Sequence, residues 1–168
     1  GSMEYDGYCE YRVTIDARED TPVENFLLRL PYSRDAAKYW MGLGEMGGFR
    51  KKDLDWKWNS KYNQDTLWMG DVNAGLMLRL KDREYEKPYL LIYYHYHPLK
   101  MPRGWDNGGK GGVRVIERGD SVELEAYSGS LFLKKGERVT FDFDLSITPV
   151  KPINKQEHWH DHYYHDVP

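Results

Sequence analysis

The sequence predicts an all-β fold, an antiparallel two-sheet β-sandwich with one short helix. Three observations carry this reading. Apolar and polar residues alternate at strand period, glycine-containing pairs sit between the closely spaced runs, and helical period is nearly absent. The first alternating run is Tyr11–Asp16, followed by Phe26–Leu30. Ser33–Trp40 is the one helical stretch, with Asp35 near its start, Ala36 and Ala37 inside and Gly42 as a stop. Gly42–Phe49 reads as a loop whose glycines permit positive φ or close backbone approach. Gly75–Leu80 and Tyr89–Tyr96 return to strand character, the latter closed by Pro98. Pro102–Gly112 reads as a long surface connection. Val113–Arg118, Val122–Ala126, Ser130–Leu133 and Val139–Ile147 complete the set. Gly119-Asp120, Ser128-Gly129 and Lys135-Gly136 supply turn chemistry between them and predict a hairpin meander.

A chain of 168 residues is long enough for one domain with a proper core, and its 14 Tyr and 6 Trp predict an aromatic-rich interior. The net charge of -3, from 24 basic and 27 acidic residues, gives no electrostatic footprint for nucleic acid or an anionic membrane surface. No apolar run approaches the roughly 18 residues of a spanning helix, so no membrane insertion is expected. Cys9 is the single cysteine, which rules out a disulfide within the chain. Gly1-Ser2 ahead of Met3 looks like a cloning remnant over residues 1–3, with the sandwich as an accessory domain over residues 4–150. Residues 151–168, rich in histidine and aromatics, read as a junction toward a further domain.

Candidate chemistry is sparse, and no cofactor motif is present. The four glycines around Lys110 lack the spacing of a phosphate-binding loop. Asp142 and Asp144 share one face of a strand; two carboxyls roughly 5 to 10 Å apart could cleave a glycosidic bond, but a solvated outer face is the simpler reading. Asp71 and Asn73 are first expected to satisfy backbone groups at a turn and second to hydrogen-bond sugar hydroxyls. His158, His160, His162 and His165 could gather on one face, yet the zinc-protease spacing is absent and no metal site is assigned. His95 and His97 read as strand residues.

Trp56-Lys-Trp-Asn, Leu67-Trp-Met-Gly-Asp-Val-Asn-Ala-Gly-Leu, Trp105-Asp-Asn-Gly-Gly-Lys-Gly-Gly, Ala126-Tyr-Ser-Gly and Ile147-Thr-Pro-Val-Lys-Pro-Ile resemble, in that order, the N-terminal β-sandwich of bacterial proteins similar to glycoside hydrolase family 123. The resemblance spans nearly the whole chain. It implies a (β/α)₈ catalytic barrel downstream, with Tyr163-Tyr-His as a junction element. The activity it implies for the parent is release of terminal β-linked N-acetylgalactosamine, assisted by the substrate's acetamido group and an Asp-Glu pair in the barrel. No adjacent Asp-Glu occurs in this chain, so no catalytic residue is carried over.

Three functional expectations result. The first is a non-catalytic module bracing a glycosidase barrel, with Lys151, Tyr163, Tyr164 and His165 at the junction. The second is a carbohydrate-binding module using Trp56, Trp58, Trp68, Asp71, Asn73 and Trp105, with Trp40 as a further candidate ring. The third is a self-contained glycan-active enzyme. The resemblance also implies export of the parent protein.

Overall fold

The computed structural model describes residues 1–4, 6–58, 65–83 and 101–148. In chain order the elements are β1 (Ser2–Met3), β2 (Tyr8–Asp16), β3 (Thr21–Val23), β4 (Leu27–Ser33), β5 (Tyr39–Gly42), β6 (Glu45–Phe49), β7 (Leu54–Lys57), β8 (Thr66–Asp71) and β9 (Ala74–Lys81). There follow a short helix α1 (Arg103–Asp106), β10 (Gly112–Arg118), β11 (Ser121–Tyr127), β12 (Leu131–Leu133) and β13 (Arg138–Thr148). The fold is all-β and antiparallel. One sheet has seven strands in the order β1-β2-β13-β9-β8-β5-β6, a second has four in the order β4-β11-β10-β7, and β12 pairs with β3.

Strand alternation builds the core. Phe141, Leu67, Met69, Leu78 and Leu80 project inward from the large sheet, and Val113, Val115, Val122 and Leu124 from the small one, all in one buried cluster. Aromatic rings close its centre. The Trp105 indole is fully buried and meets Phe26 and Phe141 edge-on, at centroid distances of 5.5 and 5.2 Å. Its Nε1 donates to the Asp142 carbonyl at 2.9 Å, so the one polar atom of the ring is satisfied.

The glycine-rich stretch is a packed clasp rather than a surface connection. α1 lies flat on β13, where a Cβ on Gly104 would stand 2.4 Å from the Thr140 carbonyl oxygen. Asn107, in the left-handed region at φ 44°, donates from Nδ2 to the carbonyls of Ser128 and Ser130, each at 2.9 Å. A Cβ on Gly111 would come within 1.7 Å of the Trp105 carbonyl, which requires glycine there.

Four expectations are corrected. Ser33–Trp40 forms a single turn, with Ala37 N–H bonding Ser33, before Tyr39 and Trp40 join β5; pairing with β8 overrides the local helical signal. Gly42–Phe49 is not a loop but most of the β5–β6 hairpin, although Gly42 does lie at positive φ, close against β8. The meander fails after β11, because β12 pairs with β3 and β13 inserts between β2 and β9. Asp142 and Asp144 are not solvated, being 2 % and 4 % exposed. They lie on the outer face of the central strand β13, where side chains from β2 and β9 lie over them. The expected strand at Tyr89–Tyr96 lies outside the described residues.

Candidate functional site

The outer face of the seven-stranded sheet divides into a charged half and an apolar half. On the charged half, Arg12 Nε meets Asp142 Oδ2 at 2.9 Å, and Lys81 Nζ bridges Glu10 Oε1 and Asp144 Oδ1, both at 2.8 Å. Arg79 Nε holds Asp65 Oδ2 at 2.9 Å. The hydrogen bond from Lys81 keeps the Glu10 carboxyl below the usual range. These carboxylates are committed to ion pairs, and the lowered Glu10 pKa is the opposite of what a general acid needs.

The apolar half is built around Trp68. Leu67 and Met69 point into the core, so β8 turns Trp68 outward, opposite Met77 of β9 and Met41 of β5. Its indole lies on the backbone of the facing pair Gly70 and Gly75. A Cβ at either glycine would stand 2.5 Å from the ring. Nε1 donates to Thr148 Oγ1 at 2.7 Å, tying the ring to the last residue of β13. Toward the sheet edge, Tyr39 packs on Phe49 with centroids 5.1 Å apart, and β6 is the edge strand among the described residues. Phe49 and Met41 are 80 % and 57 % exposed. Gly75→Ala is expected to displace the Trp68 indole and to destabilise the fold by about 1–3 kcal/mol, measured by denaturant unfolding; unchanged stability would contradict the cradle.

Asp71 sits at the tip of the β8–β9 hairpin. Its Oδ1 accepts from the Val72 N–H at 2.7 Å and its Oδ2 from Lys38 Nζ at 3.0 Å, the Lys38 hydrogen bond being the larger cause of its lowered pKa. The turn role expected first for Asp71 is the one its geometry supports. Asn73 is exposed on the same turn.

The other proposed sugar-site residues do not join it. Trp56 and Trp58 are 9 % and 8 % exposed and meet edge-on at 5.1 Å, and Trp40 and Trp105 are core residues. The expectation of solvent-facing rings at these four positions is corrected, because β7 and β5 turn them inward and Trp105 anchors the clasp. Lys151, Tyr163, Tyr164 and His165 lie outside the described residues, as do all six histidines. No cluster of His, Cys, Asp or Glu suited to a metal occurs among the described residues. No described helix is long and apolar enough to cross a membrane.

Residues 1–149 match the family model for glycoside hydrolase 123, third domain. The chain belongs to this family. The matched model is of a third domain, whereas the resemblance implied an N-terminal one. No curated protein matches the chain. No solved structure matches it either.

Sequence reasoning missed Tyr39, Met41, Phe49 and Met77 as one surface. The available signal was Glu45-Met-Gly-Gly-Phe, a glycine-weakened run with two apolar positions, close in sequence to the aromatic Tyr39-Trp40.

Proposed function

We propose that this chain is a non-catalytic module of a glycoside hydrolase-like protein and docks on that protein's catalytic barrel through the apolar half of the large sheet. The observation that carries the reading is the contiguous surface of Tyr39, Met41, Phe49, Trp68 and Met77. Large solvent-facing apolar residues gathered on one sheet face favour an interface. Thr148, hydrogen-bonded to Trp68, brings the C-terminal end of β13 to this same surface. Family membership supports the glycosidase context, and export of the parent is part of the proposal.

Interfaces of this kind concentrate their energy in a few aromatic or large apolar anchors worth about 2 kcal/mol or more each. The double variant Met41→Asp/Phe49→Asp is therefore expected to weaken binding to the separately produced barrel by about 30-fold or more, read by biolayer interferometry. Both positions are exposed, so the fold should be unaffected. Wild-type affinity in the double variant would sink the proposed docking face.

A further inference from the structure

We infer that the chain carries a binding site for an acidic glycan, bearing carboxylate or sulfate groups, in the groove between α1, β12 and the start of β13. Two adjoining cavities form it, of about 260 Å³ and 250 Å³, sharing Arg103 and Val139 in their walls. Each is a little below the roughly 300–1,000 Å³ of small-molecule sites, and together they fall within it.

Charge is the first argument. The two walls present Arg83, Arg103, Arg138 and Lys110 against one carboxylate, Asp82, in a chain of net charge -3. Asp82 already accepts from the Arg103 backbone N–H, and Arg138 pairs with Asp16. Most arginines beyond the groove are paired. Arg12, Arg29, Arg34, Arg50, Arg79, Arg114 and Arg118 each hold a carboxylate. Among the described residues, the side chains of Arg18, Arg83 and Arg103 carry no such partner, and the last two line this groove. A planar guanidinium left open in a cavity is suited to bidentate capture of a carboxylate or sulfate.

Shape is the second argument. Phe132 lines the same groove, flanked by Leu131 and Leu133, yet is 58 % exposed. An exposed ring beside open guanidinia offers the apolar face of a sugar a surface while its anion meets the arginines. This site is separate from the proposed docking face and does not depend on it.

The test is titration calorimetry of the full chain at low salt with three tetrasaccharides: a galacturonate, a sulfated galactosaminoglycan and neutral chitotetraose. Saturable binding of one or both anionic sugars, none of the neutral one, and a loss of tenfold or more in each of Arg103→Ala and Phe132→Ala is the expected result. Which anionic sugar binds identifies the group recognised. Both substituted side chains are exposed, so folding is preserved. The inference is overturned if no anionic sugar saturates, if chitotetraose binds equally, if a single-stranded oligonucleotide binds as tightly, or if either variant binds like wild type.

Discussion

Trp105→Ala is expected to lower stability by about 3–5 kcal/mol, the range for deleting a buried large aromatic ring, and Tm by on the order of 10 °C. The ring is fully buried, packs edge-on against Phe26, Phe141 and Phe143, and ties the glycine-rich clasp to β13 through its bond to Asp142. Its loss leaves a cavity that the rigid sheets can only partly close. Trp105→Phe should recover most of the packing but leave the Asp142 carbonyl without its indole donor, a residual deficit of about 1 kcal/mol. Equilibrium denaturation of both variants checks the pair, and an alanine variant within 1 kcal/mol of wild type would refute a central role for this ring.

Glu125→Ala is the second large effect. Glu125 is fully buried on the outer face of the four-stranded sheet, where it accepts from Arg114 Nε at 2.6 Å and Arg29 Nε at 2.9 Å. Removing one side of a fully buried ion pair costs roughly 3–5 kcal/mol. Here the arginine side chains are 58 % and 41 % exposed and can rehydrate, which reduces the expected loss to about 2 kcal/mol. The pH dependence follows from the same geometry. Burial pushes the Glu125 carboxyl up, but the hydrogen bonds from Arg114 and Arg29 outweigh it and hold the pKa below the usual 4.5. A folded-state pKa below the unfolded one stabilises fully above the unfolded value and is lost as pH falls through the folded value. Wild type should therefore lose stability below about pH 4.5 more steeply than Glu125→Gln. Parallel acid limbs for the two proteins would contradict the assignment.

What could be read in the sequence was whatever one strand determines by itself. β2, β10, β11 and β13 each alternate cleanly, and the turns at Gly119, Gly129 and Gly136 adopt the positive φ their composition announced. Neighbour choice was not legible. The pairing of β12 with β3 joins residues about a hundred positions apart, and nothing in Leu131–Leu133 announces Thr21–Val23. The same limit explains Asp142 and Asp144, whose alternation was visible while the burial imposed by two flanking strands was not. Tryptophan orientation depended on strand register, so Trp68 could not be told apart from Trp56 or Trp58. The groove was the least accessible feature, because Arg83, Arg103 and Arg138 converge from three separate elements.

The apolar half of the large sheet is the proposed interface. Hydrogen–deuterium exchange of the isolated chain against the same chain within its parent glycoside hydrolase tests it most directly. Added protection confined to Tyr39–Phe49 and to the β8–β9 hairpin is the predicted result. Protection on the outer face of the four-stranded sheet instead, or no difference at Tyr39–Phe49, would contradict it.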